Sequence, residues 1–456
     1  MNARAAIWAT LFSLGLGLSL CLAAPGDGGP VFGGGGGGGG GGQVESSARS
    51  RFSLPKVLNF EQFKRLFKRN YESISEELER RQLFLGRAFR AFISAIGYKH
   101  AKSDSYLAIN HMSDWRLEQI RSLYMSAAQL ELEAQSGPSL GLAASAAAAD
   151  DSLSGRPLNG TVGPSERNPI AATEGASRAR ELIERLLGSL PGRRKLRPRR
   201  LHLPDEVFVD HRSSNCFFEP RNQKKCGSCY AFAVISLYEW MICRATGSLT
   251  ALSEQYLVDC GQRSGLKGCN GGSVVGASEF VRDYGLELSE NYPYRGKQRK
   301  CPYPIEADPS EMGSLRVDSL GQTRLPMEEV ERVLERTPVV IYMTPSKWFS
   351  EYGGGVDRCE KLSKGGLHMV LLVGHGREDG NDYWLIRNSY STDWGERGYY
   401  KLRKGSKCLS AWNYFHLLVE ALKADLNVRK NPNHDASFLN QTSSFMTTLR
   451  HLFGRD

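Results

Sequence analysis

The chain has 456 residues, 41% hydrophobic and 24% charged, with 59 Lys+Arg against 49 Asp+Glu and a formal net charge of +10. It exceeds one typical domain and can bury a core, which excludes a wholly disordered or collagen-like protein. Leu201 to Val419 holds 27 basic and 27 acidic residues, so the positive excess lies outside that block and argues against a nucleic-acid-binding face on it.

Ala5 to Ala24, after Arg4, is uncharged and ends near Cys21-Leu-Ala23, small residues of the kind signal peptidase cuts beside. Residues 1–24 are expected to be a secretory signal, although their length would also permit an uncleaved anchor. No other segment is long enough to span a bilayer, so stable membrane insertion is not expected. Residues 25–50 form a spacer containing the unbroken run Gly33 to Gly42, which cannot pack a core. In residues 51–126, Phe60, Phe63 and Phe67 recur at helical spacing, as do Leu78, Phe84, Phe89, Phe92, Ile93 and Ile96 among many charges; amphipathic helices are predicted. Residues 127–202 are a low-complexity linker with one helical patch, Ala179 to Leu187. The cysteine-bearing block, 203–419, opens with a strong helix signal from near Ser228 to a capping Gly247. It continues with strand-like runs at Val339–Met343, His368–Val373, Asp382–Arg387 and Tyr399–Leu402. A helical half followed by a β half suggests two α+β lobes. Residues 420–456 form a tail.

The densest chemical signal is Gln223-Lys-Lys-Cys226-Gly-Ser-Cys229-Tyr-Ala-Phe232. Cys229 opens the predicted helix, where start amides and the macrodipole favour a thiolate. Cysteine attack on a carbonyl also needs an imidazole, a group to orient it, and donors for the oxyanion. His368 after Gly365-Gly366, Asn388 at a strand end, and Gln223 six residues before the cysteine are candidates for those roles. Cys226-Gly-Ser-Cys229 alone would also allow a redox pair or half a zinc site. No βαβ pattern follows it, and no metal is expected.

The ordered set of motifs resembles the papain-like cysteine proteases. Besides the Cys229 segment it includes Leu252-Ser-Glu-Gln255, Val258-Asp-Cys260, Gly268-Cys-Asn-Gly-Gly272, Tyr292-Pro-Tyr294, the glycine-flanked His368, Arg387-Asn-Ser389 and Asp393-Trp-Gly395. The resemblance implies an α+β papain-like fold, a helical left lobe and a β-barrel right lobe, with Cys229 as nucleophile, His368 as acid/base and Asn388 as its orienter. Gln223 and the Cys229 amide would form the oxyanion hole. It further implies that Gly271, Gly272 and Trp394 contact substrate, and that Val274, Gly366, Met369 and Asn413 line an apolar pocket. No insertion between Gly272 and Cys301 blocks the cleft, so an endopeptidase is expected, with an N-terminal exopeptidase as alternative. Three aromatic positions depart from the pattern: Tyr230, Tyr390 and His211 stand where the family has tryptophan, and they feed the alternative of a catalytically weak or silent papain-like peptide-binding protein.

Residues 51–126 resemble the family's inhibitory propeptide. Glu77, Arg81 and Phe84 match its helical pattern while Arg87, Ala91 and Ala95 depart, and Ala108-Ile-Asn110-His-Met112-Ser-Asp114 resembles the segment that follows. A latent zymogen is therefore expected. Arg197-Pro-Arg-Arg200 fits a convertase site cutting before Leu201, unless it is merely a solvated charged linker. Family resemblance pairs Cys226 with Cys269, Cys260 with Cys301 and Cys359 with Cys408, and leaves Cys216 and Cys243 as either a further bridge or two buried thiols. Asn159 and Asn440 head glycosylation sequons. The expected partners are protein and peptide substrates, the protein's own propeptide and cystatin-like inhibitors, with no nucleic acid, no cofactor and a monomeric chain. A secretory route to a lysosome, or export, fits the signal and the disulfide framework.

Overall fold

The computed structural model describes residues 52–55, 58–125, 206–304, 306–317, 322–325, 327–363, 366–410, 415–418 and 426–434. The expected signal, glycine spacer, linker patch, processing site at Arg200 and Leu201, sequons at Asn159 and Asn440, and pocket residue Asn413 lie outside the described residues. So does the tail other than 426–434.

The N-terminal part is helical, as its periodicity predicts. α1 (Phe60–Leu66) is closed by an Asn59 and Gln62 capping box. α2 (Ile74–Lys99) starts where the Ser73 side chain accepts from the Glu76 amide. Phe60, Phe63, Phe84 and Ala88 make a small core between them. The buried side of α2 differs from the expected one. Phe84, Ala88, Ala91, Ala95 and Tyr98 face inward, while Ile74, Leu78, Leu85, Phe89 and Ile93 are 82%, 54%, 41%, 65% and 50% exposed. Small alanines let the helix approach β1 (Ser105–Leu107) closely, and the bulky residues are left outside. α3 (Leu117–Arg121) follows.

β2 (Glu206–Asp210) leads into the left lobe. Its central helix α4 (Cys229–Thr246) buries fifteen consecutive residues, Cys229 to Cys243; they are almost all apolar, as in a helix inside a core, and the buried Glu239 is paired with Arg221 at 2.7 Å. Gly247 at φ 75 caps it, the left-handed conformation glycine adopts without a Cβ penalty. α5 (Glu254–Cys260) and α6 (Val274–Tyr284) pack on α4. β3 (Leu315–Val317) belongs to this lobe too, since Leu315 bridges to Leu286.

The right lobe is built from β4 (Gln322–Leu325), α7 (Met327–Leu334), β5 (Val339–Met343), β6 (Tyr352–Asp357), β7 (His368–Glu378), β8 (Asn381–Arg387), β9 (Tyr399–Arg403), α8 (Lys407–Ser410) and β10 (Phe415–Leu418). The sheet runs β1-β6-β9-β8-β7-β5-β10-β4, and β2 pairs with β7. The N-terminal part thus contributes an edge strand, antiparallel to β6, with Ser105 opposite Gly355 and Tyr106 opposite Gly354. Gly355 sits at φ 75, and a Cβ there would lie 2.3 Å from the Asp104 carbonyl, so only glycine admits that strand.

Four disulfides join Cys216–Cys243, Cys226–Cys269, Cys260–Cys301 and Cys359–Cys408. The first settles the alternative the sequence left open. Part of the tail gains a physical account: β11 (Val428–Lys430) pairs antiparallel with β3. Asn431 Nδ2 donates to the carbonyls of Ser310, Met312 and Gly313, and His434 meets buried Glu287 at 2.9 Å. The chain end therefore straps onto the left lobe after leaving the right one. Among the described residues no helix is long and apolar enough to cross a membrane.

Candidate active site

Cys229 is the first residue of α4, His368 the first of β7, and Asn388 follows β8 directly. Each therefore sits at an element end, projected by one lobe toward the other. Cys229, His368 and Gln223 are completely buried and Asn388 nearly so. Cys229 is also the one described cysteine outside a disulfide.

His368 Nε2 lies 2.8 Å from Asn388 Oδ1, and the same oxygen accepts from the Ser389 amide at 2.8 Å. An oxygen engaged as acceptor makes Nε2 the protonated nitrogen. Nδ1 is left buried with no hydrogen-bond partner among the described residues. Tyr390 lies on the imidazole at 5.1 Å and Phe349 at 5.6 Å. The departure from tryptophan at 390 thus still excludes water from the Asn388 bond. A Cys229–His368 ion pair, which the papain-like resemblance implies, would carry a raised imidazole pKa. In this covered site burial dominates, opposed by the Asn388 bond, and pushes His368 down to about 4.

Gln223 is held on every side. Its amide donates to the Ser389 carbonyl at 2.9 Å, its Oε1 accepts from Ser389 Oγ at 2.5 Å, and its Nε2 donates to the Cys226 carbonyl at 2.8 Å. The remaining Nε2 hydrogen points at the Leu123 carbonyl, 3.1 Å away. A main-chain carbonyl of the N-terminal part thus rests on the donor aimed where an oxyanion would form.

That part contacts the groove at several points. Met125 pairs with Leu367 in both directions, at 2.8 and 3.1 Å, as an added strand. Gly366, at φ 112, is required beneath it, since a Cβ would lie 2.2 Å from the Met125 carbonyl. Tyr124 stands edge-on to His368 at 5.6 Å. Asn110 donates to the Ser350 carbonyl at 2.8 Å, and His111 binds Asp393 through both its amide and Nδ1 at 2.8 Å. Glu351, 6% exposed, takes Arg90 at 2.8 Å and Arg87 at 3.5 Å. Arg87 also donates to the Met112 carbonyl, so this departure from the propeptide pattern is itself a bridge.

The other expected contact residues divide. Gly271 has φ 107, and Gly272 lies on Tyr230, whose ring a Cβ would approach to 2.8 Å; Tyr230 donates to the Gly268 carbonyl at 3.2 Å. Tyrosine here supports the glycine ridge from below. His211 Nε2 donates to the Leu334 carbonyl and the ring stands edge-on to Trp240, a structural role. Val274 and Met369 are buried together with Met125 in one apolar cluster. Tyr342, which the sequence did not single out, belongs beside them: it is paired with Met369 across β5 and β7, and its hydroxyl accepts from the Val274 amide at 3.2 Å. The alternation of Val339–Met343 carries that information once the register with β7 is known. Trp394 is completely buried in the right-lobe core, with Nε1 donating to the Phe349 carbonyl at 2.9 Å and its ring edge-on to Tyr390 at 5.5 Å, so in this covered state it braces the imidazole's cover. No cluster of His, Cys, Asp or Glu among the described residues could hold a metal.

A family profile described as "Papain family cysteine protease" matches residues 203–415. A cathepsin L-like proteinase of Phaedon cochleariae is 30% identical over 342 residues, covering 75% of this chain and 86% of that protein. Procathepsin L of Mus musculus is 37% identical over 220 residues, 47% of this chain and 64% of that one. Among solved structures, procathepsin L 3 of Tenebrio molitor larval midgut superposes with a TM-score of 0.55 at 22% identity, covering 78% and 96% of the two chains.

Proposed function

Because the chain belongs to the papain family of cysteine proteases, we propose that it is an endopeptidase made as a zymogen, with residues 52–125 as its inhibitor. In this reading Cys229 passes its thiol proton to His368 Nδ1, forming a thiolate–imidazolium pair, and the thiolate attacks the scissile carbonyl carbon. The oxyanion is held by Gln223 Nε2 and the Cys229 amide, and His368 Nδ1 gives its proton to the leaving amine. A water deprotonated by His368 then opens the thioester, releasing the acid and the thiol.

The observation that carries the proposal is the hydrogen bonding of Gln223 and His368: Asn388 holds His368 Nε2, Nδ1 has no partner among the described residues, and one Gln223 Nε2 hydrogen is taken by the Leu123 carbonyl of the N-terminal part. The test is covalent. Protein cleared of its N-terminal part should label with a peptidyl epoxide, and Cys229→Ala should abolish the label. An activated chain that never labels would assign the fold to peptide binding without cleavage.

Within the family, Pro338-Val-Val-Ile341, Trp348, Tyr352-Gly-Gly354 and Gly405-Ser-Lys-Cys408 resemble cathepsin O. Internal cleavage is favoured because residues 274–284 after the glycine ridge form the regular helix α6 with no blocking insertion. An acidic compartment such as the lysosome suits the covered imidazole, since acid favours its uncovered, protonated form. Cystatin-like inhibitors and a monomeric state complete the reading.

A further inference from the structure

Tyr294 closes the Tyr292-Pro-Tyr294 stretch on the loop beyond α6, and the mechanism above gives it no task. Its hydroxyl donates to the Gln223 main-chain carbonyl at 2.7 Å and meets Ser228 Oγ at 2.7 Å. A phenol has one proton; with that proton on Gln223, Ser228 supplies the hydrogen of the second bond. Gln223 provides one donor of the anion pocket through its side chain. Ser228 immediately precedes Cys229, whose amide is the other. One oxygen atom therefore ties together both arms of the pocket. The Tyr294 ring stands edge-on to Phe232 of α4, 4.8 Å between centroids at 87°, so the nucleophile's own helix fixes its place.

We propose that Tyr294 is a positioning residue for the oxyanion pocket, its hydroxyl setting the separation between the Gln223 amide and the Cys229 N–H. The assignment rests on the functional reading above. Such donors must lie about 2.7–3.1 Å from the developing oxyanion, and an error of about 1 Å can cost up to about a hundredfold in rate. Tyr294 acts through Gln223 and Ser228 and makes no claim on substrate.

The experiment uses the activated full-length product. Tyr294→Phe removes one oxygen and leaves the packing on Phe232. The expected result is a fall of about tenfold in kcat with KM changed less than about twofold. Affinity for a peptide aldehyde should fall by the same factor, because its adduct with Cys229 places an oxyanion in the pocket. Alkylation of Cys229 by iodoacetamide, which forms no oxyanion, should keep its rate and pH profile. Ser228→Ala should cost less, and the double variant no more than Tyr294→Phe alone, since both act through one oxygen. Unchanged kcat and aldehyde affinity in Tyr294→Phe would sink the positioning role, and so would a parallel loss of alkylation. If activated wild-type protein neither turns over nor alkylates, the functional reading itself has failed.

Discussion

His368 couples the site to pH through its burial. Covered, the imidazole titrates near 4; uncovered, it returns toward the ordinary value of about 6.5. The open state therefore binds a proton that the closed state refuses, and acidification between those values favours opening, by up to about 3 kcal/mol. Asp393 works in the same direction. Burial, which would raise it, is outweighed by His111, which holds it below the usual carboxylate range, so its contribution to closure is lost as pH falls. Hydrogen-exchange protection of residues 117–125, corrected for intrinsic rates, should fall from pH 6.5 to 4, and less steeply in His368→Asn. Equal slopes in both proteins would refute the imidazole's share. A second expectation concerns Tyr342, which pairs with Met369 and accepts from the Val274 amide, two residues expected to line the substrate pocket. Tyr342→Val should shift cleavage of a peptide library toward larger aromatic residues two positions before the cut, and an unchanged preference would remove Tyr342 from the pocket. The bonding residues were legible because each stands beside a boundary signal: Cys229 at a helix start, His368 after two glycines, Asn388 at a strand end. Tyr342 was not, because its role depends on strand register, which no local pattern states. The burial of Trp394 was not legible either, because it depends on Phe349, Tyr352 and Tyr400 from elsewhere in the chain.

At the scale of elements, α4, β5, β7, β8 and β9 lie where apolar runs and turn residues placed them, because those runs are bounded by glycine, proline, asparagine or aspartate. β1 and β11 are three residues each and exist only by pairing with distant partners, so they left no periodic trace. The inward side of α2 was misjudged for a related reason: counting large apolar residues misses a helix that buries alanines to come close to a strand. The union of α2 with the right lobe depends on Glu351. Glu351→Gln leaves Arg87 in a buried setting without its counter-charge. Since burial already lowers the Arg87 pKa against the Glu351 attraction, the zymogen should lose about 3 kcal/mol. Calorimetry should show a drop in zymogen melting temperature and little change in the activated form, which lacks Arg87; equal losses in both would contradict an interface role.

For the whole molecule, one apolar cluster runs from α4 of the left lobe onto β5, β7 and β8 of the right and a second fills the right lobe, and the groove between the lobes is covered by a third body. The cross-links fall unevenly: three of the four disulfides hold the left lobe. Cys216–Cys243, separated by 27 residues, ties the entry of the block to the end of α4. Replacing both by Ala should cost about 3–4 kcal/mol of unfolding free energy, read from denaturant melts, with the activated enzyme's KM unaltered. A changed KM would show that the bridge shapes the groove.

The apolar outer face of α2 has a kinetic meaning. While the zymogen is intact, Ile74, Leu78, Leu85, Phe89 and Ile93 meet water on one side, and Phe84, Ala88, Ala91 and Ala95 are covered on the other. Detachment uncovers the second side as well, so apolar side chains interspersed with charges meet water on both sides and the helix loses the packing that supplies most of its stability. On the proposed reading the detached segment should unravel and become a substrate for the protease it had restrained. Inhibitor concentration then falls with each turnover while enzyme concentration does not, so activation behaves as a ratchet: once a few molecules open, no pool of competent inhibitor remains to drive the population back.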